Sequence, residues 1–267
     1  MPSMVLAILV VLVPLAFVIQ TSVWNQSAGF TFTPFLELWE SALFRRSLTT
    51  TLEISAMASA LSLILGYPVA VHLSRLDPRT RAFCMILVLV PFWTSILVKS
   101  YAFIVILGKQ GIVNSLLSWV FGTSIQIPML LNRTGVMIGM TNYLIPFVVF
   151  PVLASLLAID RSIYRAVEIM GAKPMTVFWK VTLPLSLPGV ASALISTFVM
   201  STGFFVIPAL LGGRKDVMLA NLVDFYTRET LDWSMAASIG VILLAIVTLV
   251  AGTAMQVQKI RANVRGI

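Results

Sequence analysis

Six long apolar stretches set the main limit on what this chain can fold into. Each has roughly the 20 residues that an α-helix needs to cross the hydrocarbon core of a bilayer. Because a backbone in lipid must satisfy its own hydrogen bonds, such stretches are expected to be helical. The sequence therefore predicts an all-α membrane protein with six transmembrane helices. The predicted spans are approximately Met4–Thr21, Thr51–Leu73, Ala82–Leu107, Gly135–Ile159, Leu185–Leu211 and Met235–Val257.

The composition supports this class. Of the 267 residues, 59% are hydrophobic and 10% are charged. A soluble domain has roughly a quarter charged residues, so this chain has too few charges to cover a water-facing surface. The net charge of +8 does not indicate nucleic acid as a partner, because the basic residues lie in short loops between apolar runs. The partner that the composition indicates is the lipid bilayer.

The distribution of Lys and Arg predicts how the spans are oriented. Ten of the 18 basic residues lie after span two, after span four or at the C-terminal end. The others are spread over longer segments that also contain acids, where the positive-inside rule counts for less. Both termini are therefore predicted to be cytoplasmic.

The sequence contains no grouping typical of catalysis or metal binding. Its one histidine and one cysteine, His72 and Cys84, are too few for a metal site. It lacks the G-x-x-x-x-G-K-[ST] motif that cradles nucleotide phosphates, and no serine, histidine and acid cluster suggests a nucleophilic triad. We therefore expect no catalytic residue, metal or cofactor in this chain, and a role other than that of an enzyme.

A polar segment, Asp160–Pro184, interrupts the apolar pattern between spans four and five. Asp160 is suited to cap a first short helix that runs to Met170, and Gly171 suits the position after its C-terminus. Pro174 can begin a second short helix before the next span. The residues alone leave two interpretations open. The segment is either an amphipathic connector on the membrane surface or an element that docks in a groove of a soluble partner.

This segment, RAVEIMGAKPMTVFWKVTLPLSLPG, resembles the EAA loop of inner-membrane permeases of type I ABC importers. Gly171, Leu183 and Pro184 match the family pattern in register, and Ala166 matches its first alanine. Arg165 stands where the family prefers glutamate. Three further stretches resemble the polyamine (spermidine/putrescine) branch: PFWTSILVKSYAFIVILGKQGIVNSLL, FFVIPALLGGRKDVMLANLV and DWSMAASIGVILL. Permeases for opines, aminoethylphosphonate and related solutes share these stretches, so the solute stays open.

The resemblance implies a permease subunit of an ATP-driven importer, with a cytoplasmic coupling loop between spans four and five. It implies three protein partners: a second homologous permease, a cytoplasmic ATPase dimer that binds ATP and magnesium, and a periplasmic solute-binding protein. A stand-alone secondary carrier is the alternative from another class, although the span centres lack the acids and histidines that such carriers use. The coupling residues that the resemblance implies are Arg165, Ala166, Glu168, Gly171, Ala172, Leu183 and Pro184.

On this interpretation the chain divides into three parts. Residues 1–50 form the first transmembrane helix and a periplasmic connector. Residues 51–257 form a five-helix permease core, which includes the coupling loop at 160–184. Residues 258–267 form a short cytoplasmic tail.

Aromatic and amide side chains within the spans are candidates for a translocation path. Tyr and Phe rings bind an ammonium group by cation–π attraction, worth roughly 0.5–2 kcal/mol each. An amide within a span needs a polar partner to offset its burial in lipid. The alternative is an interfacial aromatic belt or ordinary helix packing. The candidates are Trp93, Tyr101, Asn142, Tyr143, Phe204 and Phe205.

Acidic residues concentrate on the predicted periplasmic side, where their field would attract a cationic solute. The alternative is that they solvate loops, contact a binding protein, or pair with the basic residues Arg214, Lys215 and Arg228. The candidate acids are Glu53, Asp224, Glu229 and Asp232.

Overall fold

Helices make up most of the structure, a computed structural model that describes residues 2–25, 29–122 and 126–265. The two-residue strands β1 (Trp24–Asn25) and β2 (Gly29–Phe30) pair antiparallel after the first helix, and a π-helical turn, Phe178–Thr182, joins α9 to α10. The predicted all-α membrane class is confirmed. The helices are α1 Pro2–Val23, α2 Thr33–Glu40, α3 Ala42–Arg75, α4 Pro78–Trp93, α5 Ile96–Leu107, α6 Ile112–Phe121, α7 Arg133–Leu157, α8 Arg161–Ile169, α9 Pro174–Val177, α10 Leu183–Thr202, α11 Val206–Leu211, α12 Leu219–Arg228 and α13 Trp233–Arg265.

Five helical segments among the described residues are long and apolar enough to cross a membrane. A shorter apolar helix, Ile8–Val23, lies within α1. These segments overlap the predicted spans, but the second span begins at Ala42 rather than Thr51, and the bounds of the third and fifth also differ from the prediction. The five segments are Ala42–Arg75, Ile96–Phe121, Arg133–Leu157, Pro174–Thr202 and Trp233–Thr253.

The third predicted span, Ala82–Leu107, is not one helix but is broken between α4 and α5. Pro91, near the end of α4, has no N–H to donate, and the Thr94 hydroxyl donates to the Pro91 carbonyl oxygen at 2.8 Å. α5 then begins a new hydrogen-bond ladder, in which the N–H of Lys99 donates to the carbonyl of Ser95 at 3.0 Å. In this region, the segment that is long and apolar enough to cross a membrane is formed by α5 and α6 instead.

The fifth predicted span, Leu185–Leu211, is also divided. α10 ends at Thr202, Gly203 follows as its C-cap, and α11 begins at Val206. The break leaves Phe204 outside both helices, where its side chain is buried against the core. Pro208, the third residue of α11, has no N–H to donate to the carbonyl of Phe204, so a continuous helix would lack that hydrogen bond across the break.

The core lies where α3, α7 and α10 meet, and small residues let these helices approach closely. A Cβ added to Gly66 would lie 2.9 Å from Cγ1 of Val148, and one added to Gly189 would lie 2.5 Å from Cβ of Ser155. The buried Ser62 hydroxyl donates to a carbonyl of its own helix at 2.6 Å and lies 3.3 Å from a carbonyl oxygen of α7. This packing fixes the position of α7, which carries two of the candidate path residues, Asn142 and Tyr143.

α1 and α13 pack against each other beside this core, with Oγ of Ser238 lying 3.4 Å from the carbonyl oxygen of Ser22. α13 runs to Arg265, so the predicted tail at 258–267 continues the helix to that residue. Residues 266 and 267 of that tail lie outside the described residues. A second apolar cluster joins α2, α3, α12 and α13 through Leu38, Phe44, Leu219, Leu222 and Ile239.

Candidate functional site

The polar segment Asp160–Pro184, which we name the coupling segment, begins with a capped helix. The Asp160 carboxylate accepts a hydrogen bond from the backbone N–H of Ser162 at 2.8 Å. The hydrogen bonds from Ser162 hold the pKa of the Asp160 carboxyl below its usual value, and the charge of Arg165 acts in the same direction. The predicted cap is confirmed, and it fixes the start of α8.

The end of α8 forms a glycine-terminated Schellman motif. Gly171 has a φ of +69°. Its N–H donates to the carbonyl of Glu168 at 2.9 Å, and the N–H of Ala172 donates to the carbonyl of Val167 at 3.3 Å. A Cβ added at Gly171 would meet nothing within 4 Å, so the requirement for glycine is one of backbone conformation rather than of space.

The coupling segment presents apolar side chains to solvent. Ile169 and Met170 are 87% and 82% exposed, and Met175 and Trp179 are also exposed. Exposed apolar residues of this kind are typical of a surface that another protein or the membrane covers. None of these four side chains is among the coupling residues that the resemblance implies.

Charged members of the predicted coupling set point into solvent without pairing to one another. Arg165, Ala166, Glu168 and Gly171 are exposed, whereas Ala172, Leu183 and Pro184 are half-buried. The ion pairs within the described residues do not include Arg165 with Glu168. The two side chains are therefore not ion-paired to each other in the described part of the chain, and both are exposed.

Two tyrosines connect the coupling segment to the helical core. The Tyr164 hydroxyl donates to Oγ1 of Thr182, in the π-helical turn, at 3.4 Å. One turn further, Oγ of Ser186 lies 2.8 Å from the hydroxyl of Tyr67 on α3. The Tyr67 ring also meets Phe178 edge-on, with centroids 6.1 Å apart. These contacts link α8 to α10 and α3 through the π-helical turn.

A second candidate site consists of four aromatic residues and one lysine. We name it the aromatic crevice and define it as Phe92, Lys99, Tyr143, Phe147 and Phe204. The Tyr143 ring is at its centre: it meets Phe204 edge-on at 4.9 Å, stacks on Phe147 at 5.8 Å and lies 6.2 Å from Phe92, centroid to centroid. The Lys99 ammonium lies 5.0 Å from the centroid of the Tyr143 ring.

A small cavity opens beside this cluster. Asn142 and Ser100 contribute its polar groups, next to Lys99 and Tyr143. The remaining walls are apolar, and Gly139 lies on the α7 side. The arrangement places the Lys99 ammonium against an aromatic face, with an amide and a hydroxyl lining the adjacent cavity.

The structure brings together three of the six predicted path residues. Asn142 and Tyr143 line the cavity, and Phe204 packs on Tyr143. Trp93 and Tyr101 are exposed on the surface of the chain, and Phe205 is partly exposed. Sequence reasoning missed Phe92, Lys99 and Phe147 as members of this site. The sequence signal for Lys99 was its charge within an apolar run, whereas nothing distinguished the two phenylalanines from ordinary packing residues.

The predicted periplasmic acids are largely engaged with local partners. Glu53 accepts from Arg133 at 2.8 Å, and the buried Asp216 lies 3.5 Å from Nε of the same arginine. Asp224 pairs with Arg228 at 2.6 Å. These pairs include Arg228, as one alternative predicted, and they bring in Arg133, which the sequence did not single out.

The other two candidate acids lie at helix ends. Asp232 caps α13 by accepting from the N–H of Met235 at 3.0 Å. Glu229 follows α12, and its backbone N–H donates to the carbonyl of Phe225 at 2.9 Å. Asp232 therefore has a local structural role, and Glu229 is exposed.

The fold is similar to that of chains in solved ABC transporter structures. The chain is similar to a chain of a bacterial alginate ABC transporter in complex with alginate pentasaccharide-bound periplasmic protein, with a TM-score of 0.76 and 18% identity, covering 95% of this chain and 90% of that one. It is also similar to a chain of the MetNI methionine ABC transporter in an inward-facing conformation, with a TM-score of 0.61 and 20% identity, covering 83% and 96%.

Comparison with curated sequences gives closer relatives. The spermidine/putrescine transport system permease protein PotB of Escherichia coli (strain K12) is 28% identical over 78% of this chain and 75% of the relative. PotB of Haemophilus influenzae is 30% identical over 76% and 71%. Residues 59–261 match the protein family described as binding-protein-dependent transport system inner membrane component. The chain therefore belongs to the family of inner membrane components of binding-protein-dependent transport systems.

Proposed function

We propose that this chain is the permease subunit of an ABC importer that moves polyamines from the periplasm to the cytoplasm. The observation that carries the proposal is the similarity to spermidine/putrescine permeases over 76–78% of the chain. Family membership makes the chain a multi-pass subunit of the inner membrane. The solute class is the further step, and the aromatic crevice supports it, because a polyamine is a chain of ammonium groups that aromatic faces attract.

The proposed path runs past the aromatic crevice. Tyr143 presents its face, Phe204 supports it, and Asn142 supplies an amide. Trp93, Tyr101 and Phe205 are exposed in the isolated chain, and we place them on the face that a second, homologous permease would cover. Of the periplasmic acids, Glu229 is exposed and remains available to attract a cationic solute or to contact a binding protein.

The coupling segment is the proposed docking element for an ATPase dimer. Its exposed Ile169, Met170, Met175 and Trp179 supply apolar surface, and the path through Tyr164 and the π-helical turn supplies a mechanical link to the core. ATP and magnesium would be bound by the ATPase and not by this chain, which has no phosphate-cradling motif. Arg165 in place of the family glutamate implies an acidic group on the facing ATPase surface.

The proposed orientation follows from this docking. The coupling segment and both termini face the cytoplasm, and Arg133, Asp216 and α12 face the periplasm, where a solute-binding protein would deliver its load. The three-part division stays with the proposal: residues 1–50 precede the permease core at 51–257, the core includes 160–184, and 258–267 extend into the cytoplasm.

The test is the ATPase activity of the reconstituted complex, formed from this chain, the second permease, the ATPase and the binding protein. We expect stimulation when the binding protein is loaded with spermidine or putrescine. Stimulation by an opine, aminoethylphosphonate or an amino acid instead would discard the polyamine and keep the importer. If this chain associates with no ATPase, the stand-alone carrier becomes the better explanation.

A further inference from the structure

Lys99 is a cation within an apolar helix, and it lies against the aromatic crevice. α5 is part of an apolar segment long enough to span the membrane, and the Lys99 side chain is only partly exposed. A charge in such a position is costly unless something compensates it. The face of the Tyr143 ring, 5.0 Å from the ammonium, is the compensation that the described residues offer.

Carboxylates do not compensate Lys99 in the described part of the chain. Arg133 holds both Glu53 and Asp216. Asp224 is paired with Arg228, and Asp232 caps α13. The cavity beside Lys99 contains an amide and a hydroxyl but no acid. The interaction of Lys99 with Tyr143 is therefore the cation–π contact of a primary ammonium that has no ion-pair partner among the described residues.

We propose that the Lys99 ammonium is a tethered occupant of the solute site, which a primary ammonium of the polyamine must displace from the Tyr143 ring. This inference rests on the proposed function and adds a specificity-determining residue to it. A lysine ammonium and the terminal ammonium of a polyamine are the same chemical group on an alkyl chain, so the ring face that holds one is suited to hold the other. Only one of them fits over that face at a time.

The tethered cation has a direct consequence for transport. It raises the cost of solute binding, because the solute must break the Lys99–Tyr143 contact and tolerate a like charge nearby. A translocation site has to bind well enough for the solute to enter and weakly enough for it to leave. Lys99 keeps the affinity for the solute low. As the solute leaves, the Lys99 ammonium returns to the Tyr143 ring and occupies the site again.

The test is the equilibrium binding of radiolabelled spermidine to the complex of both permeases and the ATPase in nanodiscs, without the binding protein, so that the high-affinity site of that protein is absent. We expect Lys99→Met to bind spermidine about three- to thirtyfold more tightly than the wild type, since the worth of one cation–π contact is recovered. Lys99→Arg keeps a cation at the position and should bind about as weakly as the wild type.

Lys109→Met is the matched control, because it removes the same charge from an exposed position just after α5. A gain of equal size in this control would reduce the effect to general electrostatics and overturn the proposal. Unchanged or weaker spermidine binding by Lys99→Met would also overturn it. Absence of binding in the wild type and in every variant likewise counts against it.

Import is measured separately, which keeps the two claims apart. If the wild type imports polyamine but Lys99→Met shows no gain in spermidine binding, the inference about Lys99 is wrong and the proposed function stands. If the wild-type complex imports no polyamine, the proposed function fails and the inference about Lys99 falls with it.

Discussion

Gly171 ends α8 with a φ of +69°, a conformation that costs an L-residue with a side chain roughly 1–2 kcal/mol. We expect Gly171→Val to shift the coupling segment away from its docked shape and to lower coupled ATPase activity about five- to thirtyfold. Space is not the reason, since nothing lies within 4 Å of the added Cβ. The measurement is binding-protein-stimulated ATPase activity at matched levels of assembled complex.

Gly171→Asn is the control for this prediction, because asparagine tolerates the left-handed region better than a β-branched residue does. It should retain most of the activity. Equal activity in Gly171→Val and the wild type would show that the end of α8 does not need this backbone conformation for coupling.

Arg133, the first residue of α7, connects Glu53 on α3 with Asp216 in the loop before α12. It donates to Glu53 at 2.8 Å and lies 3.5 Å from Asp216, whose side chain is 8% exposed. Arg133→Met would leave the Asp216 carboxylate buried without its cation, and we expect the free energy of unfolding to fall by about 2–3 kcal/mol. Thermal unfolding of the purified chain in detergent measures this loss.

The double variant Arg133→Met/Asp216→Asn should recover part of the loss, because the orphaned charge is then removed. Arg214→Met is the matched control, since Arg214 makes no ion pair within the described residues. If Arg133→Met and Arg214→Met unfold at the same temperature, the three-residue network does not stabilise the chain.

At the scale of the helices, the approach of α10 to α7 depends on Gly189. A Cβ there would lie 2.5 Å from Cβ of Ser155 and 2.6 Å from the carbonyl oxygen of Pro151. Because one of these neighbours is backbone, Gly189→Ala should force the helices apart and cost about 1–3 kcal/mol. Gly252→Ala on α13, where an added Cβ meets nothing within 4 Å, should be neutral. Equal thermal stability of the two variants would contradict the packing described for α7 and α10.

The coupling segment could be predicted element by element because its signals are local. Asp160 as N-cap and Gly171 after the helix end are determined by neighbouring residues in the chain, and the structure confirms both. For the third and fifth predicted spans, Pro91 and Pro208 favour a bend but do not determine the residue at which each span divides. Thr94 bonds back locally to Pro91, whereas the burial of Phe204 in the core depends on how the helices pack.

The residues of the aromatic crevice likewise differ in whether the sequence alone could identify them. The chemistry of Asn142 and Tyr143 within a span was enough to single them out. The contact between Lys99 and Tyr143 joins α5 to α7, and the network of Arg133 joins α7 to Glu53 on α3 and to Asp216 before α12. Hydropathy and spacing give no register between helices that are distant in the chain, so these pairs became visible only in the folded structure.

At the scale of the whole molecule, the two candidate sites lie on opposite ends of one helical core. α3, α7 and α10 connect them: the Tyr67–Ser186 contact joins α3 to α10 near the coupling segment, and Tyr143 on α7 meets Phe204 after α10. Closure of a docked ATPase would therefore reach the aromatic crevice through packed helices. This continuity is the physical basis for proposing that one chain couples ATP hydrolysis to solute movement.

The most direct test of this account is uptake of radiolabelled spermidine into proteoliposomes that contain the full complex, with ATP trapped inside and binding protein outside. We predict uptake with ATP, none with a non-hydrolysable analogue, and a loss in Gly171→Val that matches its loss of ATPase activity. Spermidine uptake that proceeds equally without ATP, or that Gly171→Val leaves unchanged, would contradict it.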